Sequence, residues 1–248
     1  MKKDNKYLIP GFHAVREVLL GGKIKIHELL IGEGKRPARM EELISMARDR
    51  DIPLCFVTKE ELNKIVPNAA HQAIMARTEE FPYADLDEII DAGLNKRGKA
   101  LLIVADHITD EGNLGALIRS AAFFGSDGLI IPKDRSAQVS PSLLKRSSGA
   151  FAYLPIARVV NLARTLDLLN KRGFWIMGAS GNASKSIYKV DWNLDIVLVL
   201  GNEKKGISRV VEKQCQQMVR IPRSGRVDSL NVSVAGGVIM SEIVRQRA

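Results

Sequence analysis

Two polar turns near the carboxyl end of the chain carry the residue types best suited to hold a ligand. One apolar strand is predicted to run into residues 201–206 (GNEKKG), and a second runs into Ile221, Pro222 and then residues 229–233 (SLNVS). Because α/β sheets bind ligands beyond the carboxyl ends of their strands, exposed backbone and small polar side chains there predict a binding site. Ordinary loops between strands and helices are the alternative interpretation.

The first turn partly matches a phosphate-binding loop. Gly201 and Gly206 have the glycine spacing of that motif, between a predicted strand and a predicted helix. However, Ile207 stands where the motif requires lysine, and Glu203 would bring a negative charge into a phosphate-binding nest. The sequence therefore argues against a nucleoside triphosphate and favours a ligand that tolerates a carboxylate.

A single arginine, Arg119, is the candidate for binding a negatively charged group. It lies on a helix that follows the apolar strand 101–105, and Asn113 fits the N-cap of that helix. Arg119 lies one turn beyond Gly115 and outside the predicted buried stripe, which consists of Leu114, Leu117, Ile118 and Ala121. We therefore expect its guanidinium to emerge at the ligand edge, with a solvated helix arginine as the common alternative.

The composition indicates a globular protein with a polyanionic partner. With 248 residues, 46% apolar and 26% charged, the chain can bury the core of one large or two modest domains. The net charge is +9 and the pI about 9.6, and an acidic segment at 79–98 separates two basic ones. This distribution favours nucleic acid as a partner, although lysines that keep a surface soluble would account for the charge equally well.

Metal, disulfide and membrane roles are not expected. Cys55 and Cys215 are the only cysteines and lie far apart in sequence, and the four histidines show no metal-ligand spacing. No apolar run approaches the roughly 20 residues of a membrane helix, and residues 1–6 lead into no signal-type apolar core. We therefore expect a cytoplasmic protein that uses no metal.

The apolar pattern predicts two α/β domains joined by a linker. Residues 1–78 form the smaller domain, with helices predicted at 11–20, at about 38–48 and from about 58, and strands at 28–31, 54–57 and 72–76. Residues 79–98 are the linker, with a short helix at 86–94. In residues 99–248, continuously apolar strands alternate with helices, which indicates a mostly parallel sheet covered on both faces. The predicted strands of this sheet are 101–105, 128–131, 174–177, 196–200 and 218–221.

Three stretches, in order, resemble the three motifs of the SpoU (TrmH) branch of the SPOUT RNA methyltransferases. They are residues 113–119 (NLGALIR), residues 201–206, and the segment that begins with Ile221-Pro222 and ends with residues 229–235 (SLNVSVA). Residues 11–15 and 71–73 also resemble the ribosomal-protein-like substrate-binding domain of that family, which more often has glycine in place of Ala73. The resemblance covers nearly the whole chain and is closest to bacterial enzymes that 2′-O-methylate a guanosine of 23S rRNA.

The resemblance implies a homodimer, a trefoil knot in the C-terminal sheet, and S-adenosylmethionine bound in the knot. The cofactor contacts it implies come from Gly178, Ala179, Leu200, Gly201, Asn202, Ile221, Ser229 and Leu230. The catalytic residues it implies are Asn113, Arg119, Glu203, Ser229 and Asn231. The small N-terminal α/β domain would select a structured RNA, and the second domain would transfer the methyl group without a metal.

Methyl transfer to a ribose hydroxyl suggests a role for each polar residue. Arg119 would bind the phosphate of the target nucleotide and stabilise the developing alkoxide, because a guanidinium with a pKa above about 12 is a poor base. The resemblance also admits this arginine as the proton acceptor. Glu203 would brace its turn or the charged end of the cofactor, and Ser229 would hydrogen-bond the cofactor or Arg119. For Asn231 we predict a helix cap or a site role, which do not exclude each other.

Other patterns admit more than one interpretation. Small residues within 231–247 permit close packing inside the subunit or at a dimer seam. Residues 145–150 (KRSSGA) and 223–226 (RSGR) suit loops beside RNA phosphates, or a solvated surface. The alternatives for the function are the same reaction on tRNA or another rRNA site, an RNA-binding protein with little turnover, and a nucleotide-binding switch built on residues 201–206.

Overall fold

The computed structural model describes residues 7–22, 24–35, 37–67 and 71–248, which form two compact units. The first unit contains the described residues as far as Pro82 together with Val139–Tyr153. The second contains Tyr83–Gln138 and Leu154–Ala248. Val139–Tyr153 therefore groups with the first unit, although the sequence division assigned this segment to the second domain.

Strands and helices alternate along most of the chain. The strands are β1 (Leu8–Pro10), β2 (Ile26–Gly32), β3 (Leu54–Val57), β4 (Ile74–Thr78), β5 (Leu101–Asp106), β6 (Gly128–Pro132), β7 (Ile156–Val159), β8 (Trp175–Ala179), β9 (Lys185–Ser186), β10 (Ile196–Gly201) and β11 (Gln217–Arg220). The helices are α1 (Phe12–Gly21), α2 (Ala38–Arg48), α3 (Lys59–Ile65), α4 (Leu86–Asn95), α5 (Glu111–Phe123), α6 (Pro141–Arg146), α7 (Leu162–Lys171), α8 (Arg209–Glu212) and α9 (Val232–Arg247).

The first unit is built on a four-stranded mixed sheet of order β1-β4-β2-β3. Strand β4 pairs antiparallel with β1 and β2, whereas β2 and β3 run parallel. The predicted start of α3 is confirmed by a capping box, in which the Glu61 amide donates to the Thr58 hydroxyl at 3.3 Å and the Thr58 amide donates to the Glu61 carboxylate at 2.8 Å. The small N-terminal α/β domain expected from the sequence is confirmed.

The second unit is built on a seven-stranded parallel sheet of order β7-β6-β5-β10-β8-β11-β9. Every residue of β5 is buried, so both faces of the central sheet are covered. On one face, alternate residues of β5 and β10 pack against Leu162, Leu166 and Leu169 of α7. On the other face, α9 contacts α5 and β10. The predicted parallel sheet with two covered faces is confirmed.

The helix predicted inside the linker belongs structurally to the second unit. Asp85 caps α4 by accepting hydrogen bonds from the amides of Asp87 and Glu88. Ile89 and Ile90 are buried in the core of the second unit. A Cβ atom on Gly128 would lie 2.5 Å from the Ile89 side chain, so this glycine permits α4 to lie directly over β6. Burial of two isoleucines makes α4 part of the folded unit.

The sequence prediction missed three strands. β1 and β9 contain only three and two residues, too few for a detectable alternation, and β7 is interrupted by an exposed arginine. The trefoil knot implied by the family resemblance stays a prediction. Among the described helices, none combines the length and the apolar character that a membrane span requires.

Candidate active site

The carboxyl ends of four neighbouring parallel strands meet at one edge of the second unit's sheet. Gly201 at the end of β10 pairs with Asp106 at the end of β5, while Gly178 of β8 pairs with both β10 and β11. Of the predicted cofactor residues, this edge brings together Gly178, Ala179, Leu200, Gly201, Asn202 and Ile221. A ligand at this edge can reach exposed backbone from several strands at once.

The turn after β10 closes tightly on itself. The Asn202 amide donates to the Gly206 carbonyl at 3.0 Å, and the Gly206 amide donates to the Asn202 carbonyl at 2.8 Å. A Cβ atom on Gly201 would lie 2.2 Å from the Gly206 carbonyl carbon and 2.3 Å from the Ile207 nitrogen. Gly201 is therefore required by the close approach of the turn to the end of β10.

Asn202 holds this turn to the neighbouring strand end. Its side-chain amide donates to the His107 carbonyl at 2.8 Å, and its side-chain oxygen accepts from the amides of Lys204 and Lys205 at 2.9 and 3.3 Å. The side chain thus bridges the loops after β10 and β5. Its bonds are made within the protein, which supports a positioning role for Asn202.

Asp106 is a functional candidate that the sequence reasoning missed. Its carboxylate is 1% exposed and accepts the Ser208 amide at 2.6 Å, while the other oxygen lies 2.5 Å from Nδ1 of His107. His107 itself has a φ of 57°, in the left-handed region. A carboxylate at the end of an apolar strand was the available signal, but Ser208 is 102 positions away and no local pattern pairs them.

The start of α5 corrects one sequence prediction. Asp110, not Asn113, is the N-cap, because the Asp110 carboxylate accepts the Asn113 amide at 2.8 Å and the helix begins at Glu111. Asn113 lies inside the first turn, so its side chain is available for other partners. The predicted buried stripe of this helix is confirmed for Leu114, Leu117, Ile118 and Ala121.

Three of the predicted catalytic residues form one hydrogen-bonded chain. The Asn113 amide group donates to the Glu203 carboxylate at 2.7 Å, and the Asn231 amide group donates to the Asn113 side-chain oxygen at 2.7 Å. The Asn231 oxygen then accepts from the Ser233 hydroxyl at 2.6 Å and caps α9 through the amides of Ser233 and Val234. Asn231 is therefore both a helix cap and a member of this polar chain, which joins all three sequence motifs.

Arg119, Ser229 and Leu230 lie outside the polar chain. Arg119 is exposed, and its guanidinium makes no hydrogen bond or ion pair with any residue in the described part of the chain. Ser229 and Leu230 are exposed in the irregular segment between β11 and α9. The structure thus leaves Arg119 free to bind a ligand, and it shows no contact between Arg119 and Ser229.

The small residues of α9 serve close packing inside the subunit. A Cβ atom on Gly236 would lie 2.9 Å from the side chains of both Leu117 and Leu200. Gly236 therefore allows α9 to approach α5 and β10, which is the first of the two interpretations of this helix. The same helix also exposes Val234, which is 51% exposed, and neighbouring α5 exposes Phe123, which is 80% exposed.

Neither cysteine chemistry nor a metal site is built into this edge. No group of three or more His, Cys, Asp or Glu side chains within the described ranges is arranged to hold a metal ion. Cys215 packs close to Gly178, and burial raises the pKa of its thiol to about 12. So high a pKa favours the protonated thiol at neutral pH and argues against a role as nucleophile.

Comparison with known proteins defines the class to which this fold and this site belong. Residues 100–241 match the SpoU rRNA Methylase family, and residues 8–84 match the substrate-binding domain of RNA 2′-O ribose methyltransferases. The chain belongs to the SpoU (TrmH) family of RNA methyltransferases, as the three motifs indicated. SpoU methyltransferases use S-adenosylmethionine as the methyl donor.

Individual relatives resemble the chain along nearly its whole length. A TrmH family tRNA/rRNA methyltransferase of Bacillus subtilis (strain 168) is 34% identical over 247 residues, which cover 100% of this chain and 98% of the relative. One of Staphylococcus aureus (strain MSSA476) is 36% identical over 240 residues, 97% of this chain and 96% of the relative. The crystal structure of the SpoU methyltransferase AviRb from Streptomyces viridochromogenes, in complex with AdoMet, has a TM-score of 0.82 at 26% identity, with 98% of this chain and 91% of that chain covered.

Proposed function

We propose that this protein transfers a methyl group from S-adenosylmethionine to a ribose 2′-hydroxyl of RNA, with a guanosine of 23S rRNA as the favoured target. The hydrogen-bonded chain of Glu203, Asn113 and Asn231 is the observation that carries the proposal. It fixes three motifs, distant in sequence, around an edge where parallel strands end. Such fixed positioning is what transfer between two bound substrates requires.

The residues at the sheet edge fit S-adenosylmethionine. Gly201 has no side chain where the turn approaches the strand end, and Ala179, Asn202 and Ile221 are partly exposed beside it. We assign the cofactor contacts to these residues together with Gly178, Leu200, Ser229 and Leu230. When bound, the cofactor supplies an electrophilic methyl group on a sulfonium sulfur. The neutral backbone groups of the strand ends can hydrogen-bond an adenine without a metal.

Arg119 acts on the RNA in this proposal. Its exposed guanidinium, which has no partner in the described structure, would bind a phosphate of the target nucleotide with its fork of N–H donors. The same positive charge would stabilise the ribose oxygen as its proton leaves. Because the guanidinium stays protonated at neutral pH, we assign it an electrostatic role rather than that of the base.

The polar chain would position the loops that meet at the reacting centre. Glu203 accepts the Asn113 amide group, which supports a bracing role for its carboxylate. Asn231 ties the start of α9 to α5 through Asn113. Ser229, two residues before Asn231, is exposed and available to donate a hydrogen bond to the cofactor or to the nucleotide. Arg119 would thus bind the phosphate and Ser229 would contact the ligand. The other three residues, Asn113, Glu203 and Asn231, would position the loops.

RNA selection is assigned to the first unit, and dimerisation to the surface of α5 and α9. The match of residues 8–84 to a substrate-binding domain supports the first assignment. Exposed apolar side chains on α5 and α9, Phe123 and Val234, support the second, since such groups at a shared surface favour a contact between copies. The seam interpretation of α9 is therefore proposed in addition to its internal packing.

Cofactor titration followed by mapping of methylated sites tests this function. We expect S-adenosylhomocysteine to bind, ATP not to bind, and 23S rRNA from cells without the protein to lack one alkali-resistant 2′-O-methyl site. Purified protein should restore that site on unmodified rRNA. Restoration on tRNA instead would move the proposal to the tRNA alternative. ATP binding without binding of S-adenosylhomocysteine would overturn the proposal and favour a nucleotide switch.

An RNA-binding protein with little turnover is the second candidate, because the first unit alone could account for RNA affinity. Single-turnover transfer of a labelled methyl group to unmodified rRNA separates the two functions. Stoichiometric RNA binding with no transfer at saturating cofactor would favour binding alone. Repeated turnover would favour the methyltransferase.

A further inference from the structure

A basic groove lies along the free edge of the large sheet, outside the site described above. It is lined by Ser184, Lys185, Ser186, Lys189, Gln217, Arg220 and Pro222, and it is an open depression of about 690 Å³. Strand β9 is the outermost strand of the sheet, and it pairs with β11 so that Lys185 is opposite Val219 and Ser186 is opposite Arg220. This register places Arg220 next to Ser186, one position from Lys185, and both basic residues line the groove at the edge of the sheet.

The three cations of this groove have no counter-ion among the described residues. Lys185, Lys189 and Arg220 are exposed, and none makes an ion pair or side-chain hydrogen bond with another residue that the structure describes. By contrast, nearby Arg223 pairs with Asp228 at 2.6 Å. No acidic side chain is among the described residues that line the groove. A groove with three unpaired positive charges attracts a polyanion.

Neutral donors in the groove suit phosphate oxygens. Ser184 and Ser186 supply hydroxyl groups beside the cations. The Ser186 oxygen accepts a hydrogen bond from the Tyr188 amide at 3.2 Å, which leaves its hydroxyl proton free to be donated. Arginine offers a planar fork of donors, and lysine a point charge, and both are the usual partners of nucleic-acid phosphates together with serine hydroxyls.

Protection of the sheet edge accounts for only part of this arrangement. A lysine on an outermost strand discourages pairing with other chains, and Lys185 serves that purpose. Lys189 follows β9 and Arg220 lies on β11, the second strand from the edge, so neither blocks the edge itself. All three line one groove, which edge protection does not explain and which favours an anionic ligand there.

We propose that this groove binds the phosphate backbone of the substrate RNA next to the target nucleotide, an inference that rests on the proposed function. Arg220 and Pro222 line the groove and flank Ile221, which we assign to the cofactor. A strand of RNA held by Arg220, Lys185 and Lys189 would therefore pass close to Ile221 at the proposed cofactor site. The contacts read the backbone and not the bases, so they contribute affinity and orientation for any RNA that reaches the site.

The test compares two triple variants with the same change in charge. The groove variant is Lys185→Gln/Lys189→Gln/Arg220→Gln. The control is Arg97→Gln/Arg164→Gln/Lys213→Gln, three exposed residues of the second unit with no side-chain partner in the described ranges. Binding of an unmodified 23S rRNA transcript is measured between about 50 and 200 mM salt, a range over which phosphate contacts lose affinity steeply. Affinity for S-adenosylhomocysteine is measured in parallel.

We expect the groove variant to bind the transcript about ten-fold or more weakly near 0.15 M salt. We also expect its plot of log affinity against log salt to be shallower by about 2, because each lost contact to a single strand removes ~0.7 from the slope. Affinity for S-adenosylhomocysteine should stay within two-fold of the parent protein. In methyl transfer, the KM for RNA should rise while kcat at saturating RNA stays within about two-fold.

Every other outcome would contradict RNA binding by this groove. Equal losses in the groove variant and the control would show a general effect of net charge, and unchanged RNA affinity would show that the groove does not bind RNA. Weakened S-adenosylhomocysteine binding would place the groove in the cofactor site. If the triple variant does not fold, single Lys185→Gln and Lys189→Gln variants are compared with Arg164→Gln in the same way. The RNA affinity is measured without any catalytic step. If the parent protein transferred no methyl group, the proposed function would be rejected, but the comparison of RNA affinities would still decide whether the groove binds RNA.

Discussion

The side chain of Asn113 joins two loops that are far apart in sequence. It donates to Glu203 and accepts from Asn231, which lie 90 and 118 positions away. A carboxylate can only accept in such a bond, so the donor to Glu203 must be the nitrogen of Asn113, and the oxygen must face Asn231. The three residues therefore have one consistent hydrogen-bonding arrangement, and each loses a partner when another is changed.

Arg119 provides the most direct test at the scale of a single residue. We expect Arg119→Ala to lower the rate of methyl transfer by ~10²–10³-fold, the usual effect of removing one transition-state donor. Affinity for S-adenosylhomocysteine should stay within a few-fold, because the exposed guanidinium supports no other part of the described structure. Transfer rates are measured under single-turnover conditions with saturating cofactor.

Two further variants make the Arg119 test specific. Arg119→Lys keeps the charge but loses the planar fork, so we expect an intermediate rate. Arg164→Ala, at another exposed arginine of the second unit, should transfer methyl groups normally. A near-normal rate for Arg119→Ala would exclude the role assigned to the guanidinium.

Sequence reasoning identified the residues of the site better than their contacts. The helical pattern of α5 correctly excluded Arg119 from the buried stripe, because burial follows the periodicity of the helix. The N-cap was wrongly placed at Asn113, since Asp110 is an equally good capping residue three positions earlier. The bond between Asp106 and Ser208 could not be predicted, because only the register of β5 and β10 brings them together.

At the scale of the secondary-structure element, the turn after β10 depends on one glycine. We expect Gly201→Ala to weaken S-adenosylhomocysteine binding by about ten-fold or more, because a methyl group 2.2 Å from the Gly206 carbonyl carbon forces the turn open. Gly206→Ala is the matched control, since its Cβ atom would meet no atom within 4 Å. Its φ of 67° makes alanine cost about 1 kcal/mol of stability, with binding largely kept. Calorimetric titration of both variants checks this, and equal binding by the two would contradict it.

Helix α9 should respond to acid through Glu242. The Glu242 carboxylate accepts two hydrogen bonds from Arg245 at 2.7 Å and one from Gln246 at 2.8 Å, and these lower its pKa to about 2. Because the folded-state pKa is below the usual carboxyl value of 4.5, this contribution to stability is complete above pH ~4.5 and is lost as the pH falls towards 2. Gln246 also accepts the Trp192 amide at 3.0 Å, so the cluster connects α9 to the loop before β10.

Thermal unfolding against pH tests the role of Glu242. We expect Glu242→Gln to unfold at a lower temperature than the parent protein at pH 6, because the amide keeps neither the charge nor both acceptors for Arg245. The difference should shrink as the pH falls below about 4.5. Glu212→Gln, at an exposed position of α8, should match the parent throughout. A constant difference between pH 6 and 3 would contradict the assignment.

Strands and helices were predicted correctly where the apolar pattern within the segment itself was sufficient. Strands β3, β6 and β10, and β5 as far as Ala105, are built on continuous apolar runs, and α2 has helical periodicity over its full length. Strand β9 is defined only by its pairing with β11, and two residues contain no pattern of their own. Elements that exist because of a neighbour were therefore the ones that the sequence did not reveal.

At the scale of the whole molecule, the second unit should begin at Tyr83 and not at Lys99. A chain that starts at Lys99 lacks α4 and leaves the core without Ile89 and Ile90, each worth ~2–3 kcal/mol of burial. We expect residues 83–248 to unfold at a higher temperature and to bind S-adenosylhomocysteine more fully than residues 99–248. Both forms retain Val139–Tyr153 without the rest of its unit, so this disadvantage is equal in the two. Equal unfolding temperatures would contradict the structural role of α4.

The grouping of Val139–Tyr153 with the first unit was beyond sequence reasoning. The acidic, glycine-containing segment at 79–98 indicated a junction, and the contact boundary lies there. A segment that leaves the second unit and returns to it has no comparable change in composition. Its basic residues, Lys145 and Arg146, therefore belong to the unit that we assign to RNA selection, and not to the unit that transfers the methyl group.

The central place of β10 affects how the polypeptide acquires its shape as it is synthesised. This strand lies between β5 and β8, although it comes after both in the chain. Until Ile196–Gly201 has left the ribosome, the apolar strands β5 and β8 each present an edge without its eventual neighbour. Pairings over such long separations also form slowly. We therefore expect nascent chains that stall before β10 to be more prone to aggregate than the complete chain.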